Sequence, residues 1–184
     1  MQTSPALPSA PASGLPVATV ILKPKRARPF FGRHPWVLDA AVARVEGSPA
    51  DGDVVDLATH EGKFVARGLW NSASRLRVRL YSFSAAVPLD DALWRGRLET
   101  AVALRQSLGL DARDGAARLV NSEGDDLSGL VVDRYGDYLA VQVTALAMAR
   151  RLDTLAAALM DLVAPRGILL RGADRGLAKL EGLH

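Results

Sequence analysis

Cysteine is absent from the 184-residue sequence. That excludes disulfides, thiolate metal ligands and cysteine nucleophiles together. Histidine is scarce, with three residues of which one is the last of the sequence, so a histidine-rich metal site is not expected. No run of about 18 apolar residues occurs, so neither a membrane-spanning helix nor a membrane partner is expected. The first residues lack the Lys/Arg-led apolar core of a secretory signal, and a cytoplasmic location is the expectation. Neither a G-x-G-x-x-G turn nor a Walker loop is present. What remains is 49% hydrophobic and 23% charged, suited to one ordinary globular domain or two small ones.

Charge is unevenly placed. Residues 1–86 carry 11 Lys/Arg against 6 Asp/Glu, while residues 87–184 carry 12 against 14. The basic excess of the first half points to a polyanionic partner, with dispersed solvating charge as the alternative.

Residues 1–16 are rich in Pro, Ala and Ser and read as a disordered leader. From Val17 the pattern becomes β-like. Strands are expected at Ala18–Lys23, Asp53–Leu57, Lys63–Arg67 and Arg75–Tyr81, and their turn-rich punctuation suggests a small barrel or sandwich. Val87-Pro88-Leu89 marks a junction. Asp90 or Asp91 can cap a following helix with apolar positions Trp94, Leu98, Ala101, Val102 and Leu108, stopped at Gly109. Strands then follow at Arg118–Val120, Leu130–Val132 and Leu139–Thr144, the last two joined by a hairpin turn at Gly136-Asp137. A helix is expected from Ala145 to Val163, with a stripe of Met148, Leu152, Leu155, Ala156, Leu159 and Val163, ended by Pro165 and Gly167. Ile168–Arg171 reads as one more strand, and no further element is expected in the closing LAKLEGLH. The second half is a compact α+β unit.

Three segments are candidates for function. Lys23, Lys25, Arg26, Arg28 and Arg33 place five positive charges within 11 residues, interleaved with Phe30, Phe31, His34 and Trp36. Cations of this density neutralise phosphates, so the basic residues read as nucleic-acid contacts. The aromatic rings are expected in the core. His34 is expected to be packed or hydrogen-bonded, since no Ser or Cys partner adjoins it. Alternation puts Arg75, Arg77 and Arg79 on one strand face, which suits either a grip on a phosphate backbone or an ordinary polar face. Finally, SEGDDLSGLVVDRYG (Ser122–Gly136) clusters Glu123, Asp125, Asp126 and Asp133. The carboxylates do not follow the order of a calcium loop, and Asn121, Ser122, Gly124 and Asp126 are turn formers, so the stretch reads as a polar turn feeding a strand.

Three segments occur in order: GRHPWVLDAAVARVEG, GKFVARGLWNSASRLRVRLYS and RLVNSEGDDLSGLVVDRYGDYLAVQ. Together they resemble the class I SAM-dependent methyltransferases that modify cytosine C5 in large-subunit ribosomal RNA. The likeness runs from about Val20 to the end, and departs from the family at Ser128, where proline is usual, and Asp126, where glycine is usual. It implies an N-terminal PUA-like β-barrel that binds RNA (17–86) and a small central α+β domain (87–184). In the family a Rossmann-like domain then binds S-adenosylmethionine and carries the catalytic cysteine, and this sequence stops before it. The resemblance thus implies no cofactor held by this chain, S-adenosylmethionine for the full-length family, and RNA, specifically large-subunit ribosomal RNA, as the partner. The expected RNA contacts are Lys23, Lys25, Arg26, Arg28, Arg33, His34, Arg75, Arg77, Arg79 and Arg134, with Asp133 and Tyr135 helping to shape an RNA-facing surface. A stand-alone RNA-binding or ribosome-assembly module is the alternative, and homo-oligomerisation is left open.

Overall fold

The computed structural model describes residues 14–110, 114–172 and 175–183. Six strands form the first sheet: β1 (Ala18–Leu22), β2 (Trp36–Leu38), β3 (Val42–Glu46), β4 (Val54–Ala58), β5 (Phe64–Trp70) and β6 (Leu76–Ser82). Their order is β2-β6-β5-β4-β1-β3. The two edges, β2 and β3, are linked by only a three-residue 3-10 turn, Asp39–Ala41. So short a link forces the sheet to curl until its edges meet, giving the expected barrel-like form. Val20, Leu22, Val37, Val55, Leu57, Ala66, Val78 and Leu80 fill the interior. Gly68 lets β5 and β6 cross closely at an irregularity in their register, because a Cβ there would strike the Arg79 carbonyl.

The second sheet has the order β10-β9-β8-β7. Its strands are β7 (Ala116–Asn121), β8 (Leu130–Tyr135), β9 (Tyr138–Val143) and β10 (Gly167–Arg171). β8 and β9 make the expected hairpin, with Tyr135 opposite Tyr138 and a loop of Gly136-Asp137 in which Gly136 has φ 59°. β9 and β10 are parallel, so a helical crossover must join them. α2 (Asp91–Ser107) packs against this unit through Trp94, Leu98, Ala101 and Val102. Asp90 caps it, its Oδ1 accepting the Leu93 amide at 3.0 Å.

Several expectations are corrected. The helix expected over Ala145–Val163 is two, α3 (Leu146–Ala149) and α4 (Leu152–Val163). The break lies at Arg151, whose backbone (φ −114°, ψ 9°) leaves the helical range while its guanidinium turns inward. It donates to the Ala147 and Gly52 carbonyls and lies over the Trp94 ring. A final helix, α5 (Arg175–Glu181), follows β10 where no element was expected. β3 and a one-turn helix, α1 (Arg28–Phe31), were also missed. Of the expected leader over residues 1–16, residues 1–13 lie outside the described residues, and the Gly14 carbonyl accepts the Leu89 amide at 2.8 Å.

The two sheets share a core. Val54, Leu69 and Tyr81 of the first belong to the same buried cluster as Trp94, Leu98, Leu130, Val141, Met148 and Leu159. Nonpolar burial is therefore continuous across the junction.

Candidate nucleic-acid interface

The basic segment between β1 and β2 lies on the surface. Lys23, Lys25, Arg26, Arg28, Arg33 and His34 are all exposed. Local backbone explains it. A turn closes from the Arg26 amide to the Lys23 carbonyl, and Pro29 sits in the first turn of α1. Lys25 and Arg33 bracket that turn of helix with left-handed φ values of 64° and 61°, so the chain reverses on either side of it. Phe30 anchors the loop in the barrel. Phe31 does not, being 67% exposed, and Trp36 is 40% exposed. The expectation that these two rings are core is overturned: a four-residue helix turns only one of adjacent Phe30 and Phe31 inward, and Trp36 sits on the outward face of β2, where Val37 is the buried residue.

Lys23 donates to the Ala40 carbonyl at 2.9 Å. Among the described residues Lys25, Arg26 and Arg28 enter no ion pair, so their charges face solvent uncompensated. His34 Nδ1 accepts the Trp36 amide at 3.2 Å, which places the neutral ring's proton on Nε2. The ring meets Trp36 edge-on, with centroids 6.0 Å apart. Cations and exposed rings thus alternate along one surface strip, the pairing that single-stranded nucleic acid favours.

The arginine strand splits three ways. Arg75 is exposed. Arg77 lies over the Trp70 ring at 5.5 Å and donates to the Asn71 and Ser72 carbonyls. Arg79 is turned into the junction of the two sheets, its side chain 11% exposed. Arg134 is also buried, its Nε donating to the Gly136 carbonyl at 2.9 Å. The surface open to a phosphate is therefore carried by the strip and Arg75, while Arg79 and Arg134 hold the fold.

The carboxylates of Ser122–Gly136 are separately engaged. Asp125 takes a two-point contact from Arg105 (2.5 and 2.8 Å) and accepts the Asn121 amide. Asp133 takes one from Arg118 (2.8 and 3.1 Å). Glu123 faces the first sheet, where its Oε1 accepts from Trp36 Nε1 (3.1 Å) and Ser128 Oγ (2.6 Å), with Arg79 at 3.7 Å. Burial raises the Glu123 pKa, but hydrogen bonds from Ser128, Ser122, its own backbone and Trp36 outweigh it and hold the carboxyl below its ordinary value. Asp126 ends the 3-10 turn Ser122–Asp125 with φ 56°, a left-handed position that aspartate tolerates better than most residues. Ser128 is more than a turn filler. Its hydroxyl links Arg79 to Glu123 and its carbonyl accepts the Tyr81 phenol at 2.7 Å. Burial raises that phenol's pKa well above its usual value. Sequence reasoning missed Glu123, Ser128 and Trp36 as one cluster, since they lie up to 92 residues apart.

This cluster borders a cleft of about 430 Å³ between the sheets. Arg33 and Phe83 lie on its barrel side, and Glu123, Asp126 and Ser128 on the other. Arg97 closes one end, donating to the Tyr81 and Asp126 carbonyls, and burial lowers its pKa. Among the described residues no group of His, Asp and Glu could hold a metal ion, and no helix is long and apolar enough to cross a membrane.

The curled sheet with its exposed basic loop is a PUA-like domain, and the family model of that description matches residues 20–83. Over 168 residues the sequence is 34% identical to ribosomal RNA large subunit methyltransferase I of Aeromonas hydrophila, covering 90% of this chain and 42% of that protein. It is 32% identical over 165 residues to the protein of the same name from Shigella boydii, covering 90% and 41%. Among solved structures, one described as a SAM-dependent methyltransferase from Streptococcus mutans superposes with TM-score 0.69 at 17% identity, over 84% of this chain and 40% of that one. The likeness extends the PUA-like fold into the α+β unit. The chain spans about two-fifths of the length of the curated relatives it matches.

Proposed function

We propose that this chain is the RNA-holding and central portion of a SAM-dependent methyltransferase acting on cytosine C5 of large-subunit ribosomal RNA in the cytoplasm. It divides near residues 86 and 87, and it does not transfer the methyl group by itself. The observation that carries the RNA reading is the exposed strip Lys23–Trp36, with its uncompensated cations and two outward rings. The similarity to the Aeromonas and Shigella methyltransferases supports the choice of ribosomal RNA.

Cytosine C5 is a weak nucleophile. A thiolate that adds to C6 makes it reactive, and the base must leave its stack to meet that thiolate. This chain has no cysteine to supply one. Nor do the described residues fit S-adenosylmethionine. None of the residues lining the interlobe cleft is a glycine, the residue that lets a backbone approach a cofactor closely. The chain's part is to bind and orient the RNA.

Two measurements test this. Affinity for a structured ribosomal RNA fragment is expected to fall about 100-fold between 50 and 200 mM salt, the behaviour of three to four phosphate contacts. Replacing Lys25, Arg26 and Arg28 by Glu should reduce the magnitude of the log–log salt slope by about one per residue. Salt-insensitive binding would remove the RNA reading. Incubated with S-adenosylmethionine and ribosomal RNA, the chain alone is expected to transfer no methyl group, and transfer would overturn the division of labour.

A further inference from the structure

We infer that the cleft between the two sheets receives one unpaired nucleotide of the bound RNA, and that it favours a base bearing an exocyclic amino group. The inference rests on the RNA reading above and assigns it a specific pocket.

Size and position come first. The cleft, about 430 Å³, lies within the roughly 300–1,000 Å³ range of small-ligand sites. It opens beside the basic strip, because Arg33 belongs to both. A strand tracking the cations of Lys23–Arg33 therefore passes its mouth.

The walls decide what enters. On the barrel side the Arg33 guanidinium lies over the Phe83 ring, 5.8 Å from its centroid. That flat pair is a platform on which a base can stack, with Arg33 also able to meet the adjoining phosphate. On the far side stand two carboxylates. Glu123 is held below its ordinary pKa and is fixed in place by Trp36 and Ser128. Asp126 is exposed, and among the described residues its carboxylate accepts no hydrogen bond. Two negative groups repel a phosphate and an acidic peptide. They accept hydrogen bonds from amino groups, so the base goes inward and the phosphate stays at the mouth. Cytosine, adenine and guanine present such an amino group. Uracil has a carbonyl oxygen in place of the amino group and offers only its N3–H, so one of the two carboxylates faces an acceptor unpaired.

The junction makes the site conditional on both lobes. Phe83 and Arg33 come from the first sheet's side, whereas Glu123 and Asp126 come from the turn before β8. Arg79 and Ser128 fix the distance between them. The central domain thus contributes specificity to a surface that the PUA-like domain supplies with charge.

The test uses the whole chain and RNA hairpins that differ only at one unpaired position. Cytosine there is expected to bind about tenfold more tightly than uracil. Glu123→Gln combined with Asp126→Asn should bring the two within twofold and leave the salt slope unchanged. A 2-aminopurine at that position should lose fluorescence on binding, as stacking requires, and Phe83→Leu should restore it. Equal affinity for cytosine and uracil, or unquenched 2-aminopurine in a complex that still forms, overturns the pocket and leaves the RNA reading standing. Failure of every hairpin to bind at low salt overturns both.

Discussion

Replacing Trp94 by alanine is expected to lower the free energy of unfolding by about 3–5 kcal/mol, read as an earlier midpoint in urea. Trp94 is 1% exposed and occupies the first turns of α2. Its ring meets Tyr81 edge-on at 5.1 Å and 88°, a favourable aromatic geometry. Arg97 and Arg151 each lie over the same ring, at 5.9 and 5.5 Å. Arg151 is the sensitive partner. It is buried, it donates to the Ala147 and Gly52 carbonyls, and burial lowers its pKa. Losing the indole removes the electron-rich face from a cation already short of water. Trp94→Phe retains a ring and should cost distinctly less. Trp94→Leu, closer to phenylalanine in volume but without a ring, should cost more than Trp94→Phe, and equal losses in those two would show that volume, not the ring's contact with the arginines, explains the effect.

The same residue tests whether the two sheets unfold together. Trp94 shares one buried cluster with Val54, Leu69 and Tyr81 of the first sheet and Leu130, Val141 and Leu159 of the second unit. A void at that point removes contacts on both sides. One shifted transition, rather than two with a single one displaced, is therefore the expected form of the curve.

Much of the fold was legible because local chemistry dictated it. The Asp90 cap, the Gly136-Asp137 hairpin and the alternating strands are decided by residues a few positions apart. The break between α3 and α4 was not, since the apolar stripe runs through it unbroken. What breaks it is Arg151 reaching a carbonyl 99 residues earlier. The final helix α5 was hidden for a similar reason: a short segment with two glycines has weak helical preference, and Glu181 docks it against the first sheet. Of the site, the basic strip was legible as charge density. Its outward Phe31 and Trp36 were not, because ring type alone argues for burial. Alternation correctly placed Arg77 and Arg79 away from the barrel interior, yet it carries no information about what covers that face. Around Arg79 the cover is the turn before β8 and the end of α5, residues about 50 to 100 positions later.

Arg79→Met is accordingly expected to cost about 3–5 kcal/mol in unfolding free energy, as removal of one partner from a buried ion pair does. Arg79 Nη2 donates to Glu181 Oε1 at 3.0 Å, and Nη1 donates to Ser128 Oγ at 3.0 Å. Without it the Glu181 carboxylate, 6% exposed, keeps among the described residues only the neutral donors Ser74 Oγ at 3.2 Å and Asn71 Nδ2 at 3.4 Å. Glu181→Gln alone should cost less, because Arg79 retains Ser128 and the nearby Glu123. The double variant should recover much of the Arg79→Met loss, since the stranded charge is gone. A double-mutant cycle by denaturant unfolding measures that coupling, and a value near zero would show that Arg79 and Glu181 act independently. RNA binding supplies the complementary reading. A phosphate contact at Arg79 would reduce the magnitude of the salt slope by about one on substitution. An internal clamp leaves the slope unchanged and instead weakens cytosine preference, because Glu123 loses the group that fixes its wall of the cleft. The expected pattern is therefore a less stable protein with the same salt response and poorer discrimination between bases.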